Sequence, residues 1–312
     1  MRRLVFIIGL FVTLAGCNTR NGQTADNEGS LDEDSARWRI AVMPTLDCLP
    51  LYVAADRGFF ERAGVAVSLQ PFQAQMDIDT ALLNNRVAGA VTDLARLEHL
   101  SSQGFSAGCV TATDAHWQLV TKRSARITKL SQLDDKMLAM TRYSATDLLA
   151  DYAVDSAKLK TERVFRIQVN DIGVRISMLQ ADIMDAMLLP EPQATIARNL
   201  KSRVLIDTRK LDYKLGALVF TKQSLKGKEA WLRSFLTAYD QAVDSLNEFG
   251  FKAYSDLIRQ YMNVSAQTVD SLPADFRFSH AASPREKDSI RVKAWWNKRI
   301  ESMKYVDSRY IQ

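Results

Sequence analysis

Apolar residues in this chain come in short runs at two alternating periods. Arg39 to Met43 is a buried strand stopped by Pro44, and from Pro50 the spacing changes to helical, with Leu51, Val53, Ala54 and Ala55 on one face. Gly58 breaks that helix, the Phe59-Phe60 pair demands burial, and Gly64 turns the chain into a Val-rich strand, Val65 to Gln70. The alternation continues with a helix over Asp77–Asn84, a strand over Val87–Thr92, a helix over Leu94–Ser101 and a strand over Gly108–Thr113. From Gln118 it restarts: strands at Gln118–Thr121, Lys136–Met140, Phe165–Val169, Met184–Leu189 and Val204–Asp207 enclose helices over Ala145–Val154, from an Asn170-Asp171 cap to Gln180, and on to Leu200. Strands alternating with helices in this way predict parallel α/β sheets. Asn85 and Asp182 end helices at matching points of the two halves, where a left-handed residue is needed, so the pattern predicts two lobes on one plan.

After a strand over Gly216–Thr221 the chain turns helical. Glu229–Glu248 carries one wide apolar face, shorter helices follow at Ala253–Met262 and Ser265–Ser271, and a last one starts at Ser283 or Asp288. The helical spacing around Trp295 and Trp296 assigns both to core packing.

The first seventeen residues form an address. Arg2 and Arg3 precede an apolar run, Leu4 to Leu14, too short to span a bilayer. Leu14-Ala15-Gly16-Cys17 then resembles a bacterial lipobox, which implies cleavage before Cys17 and lipidation of its sulfur. Residues 18–37 are a polar spacer that cannot order itself, roughly 25 Å in mean span as a flexible coil. About 275 residues remain, enough for one large or two medium domains. The formal charge is +5, from 41 basic and 36 acidic residues; loss of Arg2 and Arg3 leaves 39 against 36, or +3. That balance is too mild for a nucleic-acid partner. Cys48 and Cys109 remain as two thiols that an oxidising compartment would allow to pair or leave free.

The run Pro50-Leu-Tyr-Val-Ala-Ala-Asp-Arg-Gly-Phe-Phe-Glu-Arg-Ala-Gly-Val65 resembles the first helix of NMT1/THI5-like and sulfonate-, nitrate- and taurine-type solute-binding proteins of ABC importers, and Met184-Asp-Ala-Met-Leu-Leu-Pro-Glu-Pro-Gln193 resembles a second signature of that family. The likeness extends from Arg39 to about Asn247. It implies a two-lobed type II periplasmic-binding-protein fold with residues 38–120 and 216–312 as the first lobe and 121–215 as the second. The crossovers are then expected near Leu119–Thr121 and Leu215–Phe220, with hinge closure over a small-molecule ligand. It also implies an ABC permease as partner, a monomer, an envelope location through the lipid on Cys17, and no cofactor or metal. Against the family pattern, Asn85 and Asp182 replace glycine, Ala88 replaces an acid, and the loop Thr45-Leu46-Asp47-Cys48 lacks the histidine of pyrimidine-binding relatives.

On that fold the cleft is lined by loops at strand ends: Thr45, Asp47, Cys48, Thr92, Asp93 and Trp117 from the first half, and Arg142, Tyr143, Ser144, Thr146, Asp171 and Glu191 from the second. Ser144 and Thr146 open a helix whose amides would either hold a carboxylate, sulfonate or phosphate or be capped by Ser144 itself. Arg142 would reinforce such an anion, Glu191 would favour an amine or cap its own helix, and Trp117 and Tyr143 would stack on a ring. Asp47, Asp93 and Glu191 against Arg142 alone favour a small organic ligand with a ring or an amine, with a sulfonate second. Two other classes stay open: a sensing or interaction lipoprotein without transport, and a cofactor-biosynthesis enzyme. Against the enzyme, the chain has no nucleotide loop, no His-Glu-x-x-His and no Gly-x-Ser-x-Gly.

Overall fold

The computed structural model describes residues 37–310, with side chains from 37 to 302; the expected leader, Cys17 and the spacer up to residue 36 lie outside the described residues. Strands β1 (Trp38–Val42), β2 (Val67–Pro71), β3 (Gly89–Asp93) and β4 (Ala107–Thr113) form a first sheet with a later strand, β10 (Gly216–Thr221). The order is β2-β1-β3-β10-β4, parallel except for β10, which runs antiparallel to both its neighbours. The second sheet repeats the plan as β7-β6-β8-β5-β9, from β5 (Trp117–Thr121), β6 (Lys136–Met140), β7 (Val164–Gln168), β8 (Ala186–Pro190) and β9 (Arg203–Asp207), with β5 antiparallel. This is the expected two-lobed α/β fold with a helical C-terminal region.

The first crossing falls earlier than the sequence suggests. The chain leaves the first sheet after Thr113 and re-enters it at Gly216, so β5, expected to close the first lobe at residue 120, stands in the second sheet. Local pattern cannot tell on which side of a crossover a Gln-Leu-Val-Thr strand pairs. The two crossing segments meet, since the Trp117 amide donates to the Thr208 hydroxyl at 3.0 Å and the Thr208 amide returns a bond to the Trp117 carbonyl at 3.1 Å.

Helix α1 (Leu49–Asp56) follows a 3-10 turn over Leu46–Cys48 and is buried along nearly its whole length. Gly58 at φ 66° ends it, α2 (Phe59–Arg62) follows, and Phe60 stacks on Phe235 at 5.1 Å between centroids. Helices α3 (Gln75–Leu83) and α4 (Leu94–Ser102) complete the first half; α5 (Ala145–Ser156), α6 (Ile172–Gln180) and α7 (Gln193–Asn199) serve the second. Asn85 and Asp182 end their helices at φ 52° and 57°, the left-handed stops expected of them.

After the short α8 (Lys222–Leu225), α9 (Glu229–Ala253) lays Phe235, Tyr239, Ala242, Val243 and Leu246 on the first lobe and kinks at Gly250. Helices α10 (Ser255–Met262) and α11 (Ala266–Asp270) lead to α12 (Glu286–Tyr310). Trp296 of α12 is buried against His99 of α4, while Trp295 is only partly buried and donates to Asp151 of α5 at 2.6 Å. The last helix thus touches both lobes. Cys48 and Cys109 are free thiols: the Cys48 sulfur accepts from the Met43 amide and the Cys109 thiol donates to the Thr111 carbonyl. Among the described residues no helix is long and apolar enough to cross a membrane.

Candidate functional site

A cavity of about 60 Å³ lies between the lobes where the strands of both sheets end. The first lobe contributes Thr45, Asp47, Gln75, Thr92 and Asp93, the second Thr141, Ser144, Thr146 and Arg175, and the crossing strand Trp117. Direct bonds hold the lobes together around it: the Leu46 amide donates to the Glu191 carbonyl at 2.9 Å and Gln193 Nε2 to the Pro44 carbonyl at 2.8 Å.

Asp93 ends β3 and caps α4, accepting the Arg96 amide on Oδ1 at 2.8 Å. The same oxygen accepts the Ala145 amide, across the cleft, at 2.9 Å. One carboxylate therefore sits at the starts of two helices, one in each lobe. Burial raises its pKa to about 6, against the opposing effect of these two amides. Arg96 completes the crossing by pairing with buried Asp79 in its own lobe and donating to the Arg142 carbonyl in the other.

This arrangement bears on the two roles left open for the α5 amides, an anion seat or a start capped by Ser144. The Ala145 amide is taken by Asp93, the Thr146 amide by the Ser144 hydroxyl at 3.1 Å, and those of Asp147 and Leu148 by the Ser144 carbonyl. The amides of the first three helical residues, which the helix itself leaves open, are satisfied from within the protein. Ser144 and Thr146 still face the cavity, but as wall and cap.

The remaining expected residues separate. Thr45, Asp47, Thr92, Asp93 and Trp117 line the cavity, with Asp47 buried, held by the Thr113 hydroxyl at 3.0 Å and raised in pKa by desolvation. Cys48 packs into the core beneath. Arg142 is exposed, and with Tyr143 it lines a separate groove of about 1230 Å³ between α5, β7 and α12. Tyr143, at φ 58°, stacks on His99 at 4.3 Å. Asp171 caps α6 through the Val174 amide, and Glu191 is buried under α7, where it accepts from the Thr195 amide at 3.0 Å and pairs with Arg198 at 2.7 Å. Neither lines the cavity; both take the helix-capping role left open by the sequence.

The residue that sequence reasoning missed is Arg175. It lies on the buried face of α6 with Ile172, Ile176 and Leu179, only 2% exposed. Its Nε donates to the Val169 carbonyl at 2.7 Å, Nη1 to the Leu188 carbonyl at 2.7 Å, and Nη2 to the Thr141 hydroxyl. Desolvation lowers its pKa to about 10, so it stays charged near neutrality. An arginine in register with an apolar helical stripe was the available signal.

No histidine lines the cavity. His99 and His116, both desolvated, have pKa values lowered to about 4. Among the described residues no group of three or more His, Cys, Asp or Glu is placed to hold a metal ion.

Known structures share this fold. The alkanesulfonate-binding protein SsuA from Xanthomonas axonopodis pv. citri, bound to MOPS, superposes with a TM-score of 0.72 at 14% identity, over 86% of this chain and 93% of that one. The ligand-binding component of an ABC-type import system from Staphylococcus aureus gives 0.71 at 16% identity, over 84% and 91%. The periplasmic nitrate-binding protein NrtA from Synechocystis PCC 6803 gives 0.65 at 13% identity, over 80% and 74%. No curated protein sequence matches. The family model described as NMT1/THI5 like matches residues 45–248, more than half of the chain and including both walls of the cavity, and the chain therefore belongs to the NMT1/THI5 like family.

Proposed function

We propose that this chain is the solute-binding receptor of an ABC importer, a lipid-anchored envelope protein that closes two lobes over a small ligand and presents it to a permease. The observation that carries this reading is the buried polar cavity walled by both lobes, with Asp47 and Asp93 from one and Arg175 from the other. A chain that needed rigid association of its lobes would fill that space with apolar side chains. Residues 37–113 and 216–310 form the first lobe and 117–207 the second. The segments 114–116 and 208–215 act as the hinge, because among the described residues they are the main-chain connections between the sheets. The family membership and the import components among the structural relatives support the importer role. Cys17 supplies the anchor, and a Cys17→Ser substitution should release the protein from the membrane fraction.

The reading of a binding protein rather than an enzyme draws on the ligand-binding components among the structural relatives. A thermal-shift screen of the purified protein against amines, amino acids, sulfonates and pyrimidines tests it. A ligand at a hundred times its dissociation constant adds about 2.7 kcal/mol of stability. Failure of a broad panel to shift the melting temperature defeats the receptor reading, and turnover of a hit into product replaces it with an enzyme.

A further inference from the structure

The two lobes touch again outside the cavity, along the flank where α12 crosses from one to the other. Among the described residues three ion pairs join residues 37–113 and 216–310 to residues 117–207, and α12 makes all three. Arg299 pairs with Asp147 at 2.9 Å and with Asp151 at 3.2 Å, and Lys298 with Asp155 at 3.1 Å. The Trp295 indole N–H adds its bond to Asp151. Both sides are stripes set by helical spacing: Asp147, Asp151 and Asp155 recur every four residues along α5, while Trp295, Lys298 and Arg299 stand three and four apart on α12. Elsewhere α12 is held by apolar contact, with Val292 and Trp296 buried and Trp296 edge-on to His99 of α4 at 5.2 Å. Its start is tied to the second crossing segment, since Arg285 and Lys287 both pair with Asp212 and the Arg291 guanidinium lies 3.8 Å from the Tyr213 ring centroid.

The two attachments differ in how readily they break. Exposing a buried tryptophan is costly, whereas the ionic side is partly wet: the Arg299 and Asp151 side chains are 19% and 24% exposed where they line the groove of about 1230 Å³. Asp147 and Asp151 also have a counter-ion in their own lobe, Arg166 of β7, at 3.6 and 2.5 Å. Withdrawal of Arg299 therefore leaves neither acid unpaired, and the usual penalty for breaking a buried ion pair is reduced on that side. The clasp also reaches the cavity wall. Asp147 accepts the Tyr143 amide at 2.9 Å, and Tyr143 immediately precedes Ser144, which lines the cavity.

Resting on the reading of two lobes that close over a ligand, we infer that α12 is a reversible latch on lobe opening. It rides with the first lobe through Trp296 and clasps the second through Arg299, Lys298 and Trp295, so its release sets how often the lobes part.

Amide hydrogen exchange of the ligand-free full chain, followed by NMR, tests the inference. The Leu46 and Ala145 amides, whose acceptors lie across the cleft on Glu191 and Asp93, report lobe opening, and the strand amides of β1 and β6 report unfolding of each lobe. Arg299→Gln should speed exchange at Leu46 and Ala145 about fivefold, the factor carried by loss of part-exposed ion pairs, and leave the strand amides unchanged. Lys293→Gln, the same charge change at an exposed position of α12 off the stripe, should alter neither set. If Arg299→Gln does not fold, Trp295→Phe combined with Lys298→Gln carries the same expectation. Equal acceleration of both sets makes Arg299 a plain structural brace and overturns the inference, as does unchanged exchange at Leu46 and Ala145. In the latter case, exchange at these two amides that still outpaces the strands shows that the lobes open, and the receptor reading stands. Exchange no faster than the strands in every variant removes lobe opening as well.

Discussion

Replacing Asp93 by asparagine isolates the titration of the carboxylate that joins the two helix starts. Asparagine caps helices as well as aspartate does and keeps an oxygen for the Arg96 and Ala145 amides, so the main change is the lost charge. Burial raises the Asp93 pKa from 3.8 to about 6. A carboxyl whose folded pKa is raised binds its proton more tightly in the folded state. Its contribution to stability is therefore fully present below the unfolded pKa and is lost as pH rises through the folded value. Linkage between those two pKa values gives a loss of about 1 kcal/mol between about pH 5 and pH 7.5, of a total near 3 kcal/mol over the whole window. The Asn variant has no such loss. Urea unfolding of both proteins across this range should show the variant gaining about 1 kcal/mol relative to the native chain as pH rises. Asp47 and Asp147, whose pKa values are also raised by burial, are common to both proteins and cancel in the difference. A flat difference, or one that falls with pH, would refute the argument that Asp93 is held ionised at a desolvation cost.

Glu191→Ala should act on stability rather than on ligand affinity, because the carboxylate faces Thr195 and Arg198 instead of the cavity. Leaving Arg198 without its partner should cost about 2–3 kcal/mol in urea unfolding, below the fully buried limit because Arg198 is part-exposed; a loss under about 0.5 kcal/mol with weakened binding would return Glu191 to the site. Gly216→Ala should be severely destabilising, since its Cβ would press on the Thr113 hydroxyl, 2.7 Å from the Ala115 Cβ and 2.8 Å from the Thr113 carbonyl. A loss of about 2 kcal/mol or more, or failure to accumulate, is expected where two crossing segments pass this closely; native-like melting would show that the crossing can relax.

Which residues form strands and helices was legible along the chain, because burial of one face imposes a period that any local window carries. Val-rich runs, the Phe59-Phe60 pair, the left-handed stops at Asn85 and Asp182 and the stripe of α9 all act over a few residues, and the structure reproduces them. The two-lobe plan followed from their alternation. What local pattern did not carry is pairing between elements distant in sequence. Whether β5 belongs to the first sheet or the second depends on partners some 70 to 85 residues further on, at Ala186–Pro190 and Arg203–Asp207. The site was decided at the same range. Arg142 and Glu191 stand at strand ends as the sequence suggested, yet tertiary contacts turn one outward and bury the other under α7. Asp93 closes the α5 start from 52 positions away. Arg175 reads locally as an awkward charge on an apolar face, and becomes the cavity's cation only when β7, β8 and the first lobe enclose it. Helices and strands follow from short-range burial; which charge is left unpaired, and what it faces, follows only from the packing of the whole chain.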